Sequence, residues 1–472
     1  MKKIFSYYIA TGSLLAILVM GACKVSKDVA RPDAALPATY RDATSDTVSI
    51  STMPWQDFFE DAALKTLITN ALAHNNDLQV ALKNIDAAAL VLKQAKLGNI
   101  PSLGLQASAV TNRPSDNSFN GLNISQALKT NHVEDYTLAA NLSWEADIWG
   151  KIRSQKAAAL AGYLQRDEAR KVVQTQLVSD VAKGYYNLLV LDALLAIAQK
   201  NVRLNDSTLK IIVLQYNAGQ VTSLAVQQAT AQKISAQELV PQFEQQLSIQ
   251  ENALSILTGS MPAPVTRDLT LDATALKATL QVGIPATLLS RRPDVRLSEL
   301  ELSKSNAEVG YAKANMYPSL TITAQGGLDA FKASNWFNIP ASLFGAVAGS
   351  ITQPLFQQRK LRTQYEIAKI TRDQSVIRFR QSILVAVQEV SDALVTLNKL
   401  DSQQTLAATR TSTLREATHN SQLLFKNGLA TYLEVITAQG NVLQSELELA
   451  NIKKAQLDAT VDLYRAVGGG WN

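Results

Sequence analysis

The sequence predicts a mainly α-helical fold that carries a membrane β-barrel and is built from an internal duplication. Three observations lead to this fold class. Motifs of the first half recur in the second half, each half contains one very long proline-free run of helical composition, and each half contains two segments with strand character.

The duplication is visible in three pairs of motifs at nearly the same separation. The pairs are NIPSLGL (99–105) with MYPSLTI (316–322), YNAG (216–219) with FKNG (425–428), and LTG (257–259) with AVG (466–468). The separation is about 210 to 217 residues, which indicates one duplication of a large unit and not a solenoid of short repeats. Both halves therefore share an order of elements: a helix, a Pro-Ser-Leu turn, two strands, a long helix, a glycine turn and a return helix.

The long runs predict two helical rods. Residues 150–216 and 355–425 contain no proline. The first run has two stripes of mostly apolar residues at seven-residue spacing, which is typical of a coiled-coil seam. One stripe is Val181, Leu188, Leu195, Val202, Leu209 and Tyr216, and the other is Leu177, Gly184, Leu191, Ala198, Asn205 and Ile212. At the rise of an α-helix, this rod would be roughly 100 Å long.

Shorter helices are predicted to lie beside the rods. After Gly219 the return helix extends to Gly259, and a further helix is predicted from Pro293 to Met316. Their summed length matches the first rod, so we expect these two helices to stack end to end beside it. In the second half, helices at 431–467 and 63–99 are expected to stack in the same way.

Four segments are predicted to be strands. Residues 136–144 and 320–325 alternate apolar and polar side chains, and residues 103–110 and 343–352 are weaker candidates. Alternation alone favours a small soluble sheet. A length of about ten residues also fits a membrane strand, yet four strands cannot close a barrel and open edges are not tolerated in lipid. Strands in a membrane would therefore require several chains to share one barrel.

The amino terminus favours the membrane interpretation. Lys2 and Lys3 precede a short apolar run at 14–20, and small residues lead to Cys23, the one cysteine of the chain. The run is too short for a transmembrane helix and fits a signal peptide. The arrangement Met-Gly-Ala-Cys resembles a bacterial lipobox, whose thiol is acylated. We predict a signal peptide at 1–22 and attachment of acyl chains and diacylglycerol to Cys23; the alternative is an ordinary signal peptide with an incidental cysteine.

Composition and motifs argue against several function classes. Removal of residues 1–22 lowers the formal charge from +5 to +3, and no run of lysine and arginine stands out, which argues against nucleic acid as a partner. His74, His132 and His419 are scattered without metal-ligand spacing, and the sequence has neither a phosphate-binding loop nor a Gly-x-Ser-x-Gly motif. We therefore predict no catalytic residue, no metal and no cofactor apart from the lipid on Cys23, and that the chain is not an enzyme.

Several blocks of sequence resemble one family. LLSRRPDV (288–295) and GYAKANMYPSL (310–320) look like the signature of the TolC-like outer membrane efflux factors, and most of all their lipoprotein (NodT-type) branch. WQDFF (55–59) and DIWG (147–150) are similar to the start of that branch and to its first strand-to-helix junction. The resemblance extends from Cys23 to about Gly470.

The resemblance implies a homotrimer in which four strands from each chain form one twelve-stranded barrel, continued by a long α-helical barrel in the periplasm. It implies an exit duct in the outer membrane that passively conducts small molecules expelled by an inner membrane pump of the resistance-nodulation-division (RND) class, with a periplasmic adaptor as a further partner. The alternative is an adaptor-type lipoprotein, although an adaptor would lack the duplication and the paired strands. A surface lipoprotein enzyme or binding protein is disfavoured by the missing site. The cargo is not indicated.

The duplication also gives the predicted domain boundaries. The signal peptide is followed by a lipid-anchored segment and by a first efflux repeat. An equatorial linker, expected where the stacked helices meet, precedes the second repeat. These predicted domains are residues 1–22, 23–62, 63–259, 260–289 and 290–472.

The signature block contains Arg291, Arg292, Pro293 and Asp294. Pro293 fits the first turn of a helix, and Asp294 complements the positive end of the helix dipole. Arg291 and Arg292 could pair with carboxylates of a neighbouring chain. We favour a structural role for the block over contact with the transported substrate.

The two glycine turns are expected at the far ends of the rods, where a trimer would bring six of them to the periplasmic mouth. The resemblance places Glu434 at an acidic gate position, followed by Thr437, with Phe425 beside the turn and Ala225 as the first-half equivalent. Thr437 and Ala225 depart from the acidic pattern of the family. Three copies of Glu434 at a constriction would attract cations; the alternative is a solvated glutamate on the outer face.

Overall fold

The structure is a computed structural model, and it describes residues 27–30, 32, 36–41, 49–274 and 281–471. Cys23, the predicted site of lipid attachment, and the predicted signal peptide lie outside the described residues. The chain divides into two compact units. Unit 1 is Met1–Arg31, Asp86–Leu164 and Leu300–Ile377, and unit 2 is Pro32–Ile85, Gln165–Glu299 and Arg378–Asn472.

Unit 1 contains an antiparallel sheet of four strands, which confirms the four predicted strands. The strands are β1 (Ser102–Asn112), β2 (Val133–Ala146), β3 (Ser319–Ala330) and β4 (Leu343–Thr352). They pair in the order β1-β2-β3-β4, so β1 and β4 are the two edges of the sheet. Leu103 lies opposite Leu142, and Trp144 lies opposite Ile322. The first three strands extend a few residues beyond their predicted bounds.

Helices account for most of the remaining described residues. They are α1 (Trp55–Phe58), α2 (Ala62–His74), α3 (Asn76–Lys96), α4 (Phe119–Leu128), α5 (Lys151–Asn217), α6 (Ser223–Leu257), α7 (Leu288–Arg291), α8 (Pro293–Ala314), α9 (Lys360–Lys426) and α10 (Tyr432–Ala466). The two predicted rods are confirmed as α5 and α9, each of 67 residues. Both rods end before a glycine turn, at Gly219 (φ +73°) and Gly428 (φ +70°), where the positive φ favours glycine.

The two predicted stripes of α5 are buried to different extents. In the second stripe, Leu177, Ala198, Asn205 and Ile212 are all buried. The first stripe is buried at Val181 and Leu188 but ends at Tyr216, which is 46% exposed. An apolar window of α5 has the composition of a membrane span, but 61% of that window is buried inside the fold, as in the core helix of a soluble protein.

Unit 2 contains two separate clusters of buried apolar side chains. The main core includes residues of α1, α2, α5, α9 and α10, and Phe58 stacks on Tyr464 within it (ring centroids 3.9 Å). The tip cluster lies beside the glycine turns and joins α5, α6, α9 and α10. Its buried members are Ile212, Ala225, Ala229, Phe425 and Val435.

The first return helix, α6, ends at a joint with α2 and α3. The carbonyl of Leu257 accepts a hydrogen bond from Asn75 Nδ2 (3.0 Å), and Asn75 Oδ1 accepts one from the Leu78 amide at the start of α3 (3.0 Å). Gly259 follows with φ +67°, and a Cβ there would lie 2.3 Å from the carbonyl oxygen of His74. We call this arrangement the first joint.

The second return helix, α10, ends at an equivalent joint with α7 and α8. The carbonyl of Ala466 accepts a hydrogen bond from Arg292 (3.2 Å), the residue that precedes α8. Gly468 follows with φ +95°, and a Cβ there would lie 2.7 Å from the carbonyl oxygen of Arg291. We call this arrangement the second joint.

The joints show that the predicted pairing of the shorter helices is wrong. Lengths suggested that residues 223–259 stack with 293–316 and that 431–467 stack with 63–99. The end of α6 instead meets the start of α3, and the end of α10 meets the start of α8. The shorter helices have similar lengths in both halves, so length cannot show which of them stack end to end. The hydrogen bonds at the joints show it.

Two further differences concern local structure. The predicted helix at 63–99 is two helices, because Asn75 is extended (φ −61°, ψ 128°) and its side chain caps α3. Helix α4 between β1 and β2 was not predicted. Its N-cap is Ser118, whose hydroxyl accepts a hydrogen bond from the Gly121 amide (3.1 Å).

Candidate functional site

The sheet of unit 1 has two chemically different faces, because alternate residues of each strand point to opposite sides. One face is largely apolar and includes Leu103, Leu105, Leu138, Leu142, Leu320, Ile322, Leu328, Val347 and Ile351. The opposite face carries mostly polar side chains, including Gln106, Ser108, Thr137, Asn141, Ser143, Thr321, Thr323, Gln325 and Ser350. An apolar face backed by a polar face is the pattern of a membrane barrel strand.

The polar face is uncharged near its middle. Asn141 donates a hydrogen bond to Gln106 on β1 (3.3 Å) and lies opposite Gln325 on β3. Towards the end of β2, Glu145 is paired with Lys151 (3.0 Å). The middle of this face therefore presents neutral amide groups. At the end near α5, the charge of Glu145 is neutralised by Lys151.

Aromatic side chains lie at both ends of the sheet. Where β2 leads into α5, Trp149 donates a hydrogen bond to the Pro318 carbonyl (2.7 Å) and stacks on Tyr317 (ring centroids 4.9 Å). At the opposite end, Tyr136 contacts Trp336 (ring centroids 5.7 Å). Aromatic side chains at both ends of an apolar face are typical of strands that cross a bilayer.

The structure separates the three predicted gate residues and places Ala225, the first-half equivalent, beside one of them. Phe425 and Ala225 are buried together in the tip cluster, whereas Glu434 and Thr437 are exposed on the surface of α10. Glu434 forms a capping box, since its Oε2 accepts a hydrogen bond from the Thr431 amide (2.6 Å). Glu434 thus has a local role at the start of α10, besides its charge. Ala225 is at the same position of α6 and cannot form this bond.

In the signature block, Arg292 is the buried member and is only 5% exposed. It donates two hydrogen bonds to Asp294 (2.9 and 2.6 Å) and pairs with Glu389 of α9 (2.6 Å). Pro293 begins α8, with Asp294 in its first turn. The sequence suggested carboxylate partners on a neighbouring chain, but Arg292 finds both carboxylates in its own chain. The backbone carbonyl of Arg291 accepts a hydrogen bond from the indole of Trp471 (3.2 Å).

The charges of this cluster stabilise one another. Burial lowers the pKa of Arg292, but the hydrogen bonds and charges of Asp294 and Glu389 outweigh that effect and leave the pKa raised. Burial raises the pKa of Asp294, but the guanidinium of Arg292 outweighs it and leaves the pKa lowered. Arg292 and Asp294 are therefore both held in their charged forms.

Sequence reasoning missed Asn75 and Glu389, which complete the two joints. The duplication carries a signal for Asn75, because Asn75 precedes Arg292 by 217 residues, the same separation as between the two Pro-Ser-Leu motifs. Glu389 has no such signal, because it is one of many acids on a long helix and only the tertiary fold brings it to Arg292. Among the residues that the structure describes, no group of three or more histidine, cysteine or acidic residues could hold a metal ion.

Comparison with known proteins decides the family. Residues 67–260 and 284–469 match the model of the outer membrane efflux protein family. The chain belongs to this family. It is 30% identical over 468 residues to the solvent efflux pump outer membrane protein SrpC of Pseudomonas putida, which covers 97% of this chain and 98% of that protein. It is 26% identical to the cation efflux system protein CusC of Escherichia coli K12, covering 96% of this chain and 97% of that protein.

Solved structures of this family have the same fold. A crystal structure of CusC matches with a TM-score of 0.82 at 26% identity, covering 95% of this chain and all of that chain. The outer-membrane channel OprN matches with a TM-score of 0.85 at 25% identity and the same coverage. As an outer membrane efflux protein, the chain combines membrane strands with long helices and acts as an outer membrane channel of an efflux system, not as its adaptor.

Proposed function

We propose that three copies of the chain form one twelve-stranded barrel and passively conduct small molecules expelled by an inner membrane pump of the RND class through a periplasmic adaptor. The observation that carries the proposal is the open sheet. Within the described residues, β1 and β4 are each paired along one edge and leave the other edge unpaired, although the apolar face of the sheet suits lipid. Such edges are not tolerated in a bilayer, so β4 of one copy must pair with β1 of the next.

A planar bilayer tests the proposed duct. Detergent-extracted protein, reconstituted at low concentration, is expected to insert as ion-conducting units of uniform conductance. Protein that binds to the bilayer but never conducts would contradict the duct. The control is the same preparation after heating, in which the strands have unfolded.

We propose further that Cys23 carries the acyl chains and diacylglycerol that tether the amino terminus to the membrane, as the lipobox resemblance suggests. Cys23→Ser is expected to leave an unacylated and unprocessed precursor, detected by mass and by loss of labelled fatty acid. A variant that matures and fractionates normally with the outer membrane would contradict the lipid anchor.

We also propose that the chain has no catalytic activity and that the pump supplies the energy and selects the cargo. The relatives are named for efflux of solvents, of toluene, of antibiotics and of cations, so the family does not single out one cargo. The uncharged middle of the polar sheet face supports a duct with little preference of its own. The susceptibility of a deletion strain to solvents, antibiotics and metal cations would identify the cargo.

Finally, we propose that Glu434 lines a cation-attracting constriction at the tip of the trimer. The capping box gives this residue a second role, which the choice of variant can separate. Glu434→Gln keeps an acceptor for the Thr431 amide and removes the charge, whereas Glu434→Ala removes both. Reduced cation preference and weaker block by divalent cations in both variants would support the gate. Unaltered reversal potential and block in Glu434→Gln would remove Glu434 from it.

A further inference from the structure

A band of polar residues separates the two apolar clusters of unit 2. Between the main core and the tip cluster, the buried side chains are mostly polar, and the apolar exceptions are Ala236, Ala407 and Val442. The polar members are Asn201, Asn205 and Thr208 of α5, Thr411 and Thr418 of α9, and Gln439, Ser445 and Glu446 of α10. We call this set the polar band. Dispersion and apolar burial hold the segments above and below it, whereas hydrogen bonds hold the band.

The hydrogen bonds of the band link the helices unevenly. Within the hairpin of α9 and α10, Thr411 contacts Ser445 (2.7 Å) and Arg415 pairs with Glu446 (2.7 Å). Between the two hairpins, one buried hydrogen bond joins Gln439 of α10 to Thr208 of α5 (2.7 Å), and Lys200 reaches Glu446 at 3.5 Å. Lateral support across the band is therefore weak compared with the packing on either side of it.

Gln439 is also incompletely satisfied. Its side chain is fully buried, and its Oε1 has no hydrogen-bond partner among the described residues. A buried acceptor without a partner costs free energy, so the packing at this level is less favourable than a fully paired polar layer. A movement that gives Oε1 a partner would recover part of this cost.

At this level, several hydroxyls of the long helices bond to the backbone of their own helix. In α9, five hydroxyls between residues 402 and 418 donate to the carbonyl four residues earlier: Ser402, Thr405, Thr409, Thr413 and Thr418. In α5, Ser207 and Thr208 do the same (3.0 and 3.1 Å). Such bonds compete with the helical ladder and favour bending.

We propose that the polar band is a hinge. The helices bend at this level, and the segment below it moves as one body, because the tip cluster binds both hairpins together. The tip therefore tilts relative to the main core without the two hairpins having to separate first. The hinge is inferred from contacts within one chain. It therefore does not depend on the identity of the transported molecule or of the pump.

Hydrogen exchange measured by mass spectrometry on the detergent-extracted full chain tests the hinge. In the native protein, amides at 400–418 of α9 are expected to exchange at least roughly tenfold faster than those at 379–393 of the same helix, which pack on the main core. Equal exchange in the two stretches would overturn the hinge.

A matched pair of variants sharpens this test. Thr405→Ala, Thr409→Ala and Thr413→Ala together remove three backbone-directed hydroxyls on the exposed face of α9 at the level of the polar band, and alanine favours a straight helix. Exchange at 400–418 is expected to slow by roughly tenfold. The control combines Thr66→Ala, Thr69→Ala and Ser248→Ala, which are exposed, bond in the same way and lie outside the band. It should leave exchange at 400–418 unchanged, and equal effects of the two triple variants would overturn the hinge.

Single-channel recording adds a functional measurement that rests on the proposed duct. The band variant is expected to visit its high-conductance state severalfold less often than the control variant, since a stiffer hinge resists movement of the tip. Equal visiting frequencies would mean that the hinge does not move the mouth. If neither variant nor the native protein conducts, the duct itself is wrong, and hydrogen exchange still decides the hinge.

Discussion

The two repeats build the same joint from different chemistry. Both joints place a glycine of positive φ against the carbonyl of a preceding residue, and both satisfy the last carbonyl of a return helix with a side chain. In the first joint that side chain is the neutral amide of Asn75, which links α6 to α3. In the second it is the guanidinium of Arg292, which links α10, α8 and α9.

The difference shows which part of a joint the fold requires. The glycine and its close approach recur in both repeats, so the backbone geometry is the shared device. The side chain is free to differ, provided that it donates to the last carbonyl of the return helix and also bonds to the next helix. The neutral amide of Asn75 needs no charged partner. The buried guanidinium of Arg292 must be compensated by negative charge, which the carboxylates of Asp294 and Glu389 supply. Loss of one partner should therefore cost more free energy at the charged joint, because it leaves a buried charge uncompensated.

The largest effect is expected from Arg292→Met. The variant removes the donor to Ala466 and leaves two carboxylates facing a methionine, so we expect a loss of about 3 kcal/mol in the free energy of unfolding. Denaturation of the detergent complex, followed by helical circular dichroism, measures it. Arg291→Met is the matched control and should change stability by less than about 0.5 kcal/mol, because the hydrogen bond of Arg291 to Trp471 uses its backbone carbonyl, which the substitution leaves in place. Similar losses in both variants would mean that the ion pairs contribute nothing special.

The glycines are expected to come next. Gly259→Ala and Gly468→Ala should each lower the free energy of unfolding by about 2 kcal/mol. In both variants the new Cβ would clash with a carbonyl oxygen, and alanine would have to adopt an unfavourable positive φ. Gly219→Ala is the control, with φ +73° but open space around its Cβ, and should cost about 1 kcal/mol. Equal costs at all three positions would show that close approach is not part of the joint.

Asn75→Ala is expected to have a smaller effect, of about 1 kcal/mol. It removes the N-cap of α3 and the hydrogen bond to Leu257, both of them neutral interactions. Asn70→Ala on the exposed face of α2 controls for the change in composition. If Asn75→Ala cost as much as Arg292→Met, the two joints would not differ as their chemistry suggests.

The smallest difference is in the response to pH. The pKa of Asp294 is lowered in the folded chain, so its contribution is complete above the unfolded value of about 3.9 and is lost as the pH falls through the folded value. The stability difference between the native protein and Asp294→Asn should be constant above about pH 5 and shrink below about pH 4. The difference in free energy of unfolding between the native protein and Asn75→Ala should not change with pH. A parallel pH response of the two variants would contradict the assignment of charge to the second joint.

The elements that the sequence predicts well are those with a strong local signal. Proline-free heptads define α5 and α9, and alternation defines β2 and β3, so their bounds differ from prediction by few residues. The break at Asn75 and helix α4 depend on single capping side chains, which are common in sequences and rarely decisive. The pairing at the joints depends on tertiary contacts, and helix length carried no information about it.

Candidate site residues follow the same division. The signature block is recognisable as a motif, but the burial of Arg292 and its partner on α9 could not be read from it. The family resemblance places the predicted gate residues near the turn at Gly428. The structure adds that Glu434 caps α10, whereas Phe425 belongs to the tip cluster. The capping box has a sequence signature, Thr431 followed three residues later by Glu434, which predicts this local role.

The open sheet gives the most direct test of the account. In a bilayer, the two unpaired edges of the sheet must pair with strands of other copies of the chain. The complex extracted from membranes in mild detergent should therefore have the mass of three copies of the mature chain. Native mass spectrometry measures this mass, and circular dichroism on the same sample shows whether the strands are folded. A trimer with folded strands is the predicted result. A monodisperse monomer with folded strands would contradict the shared barrel.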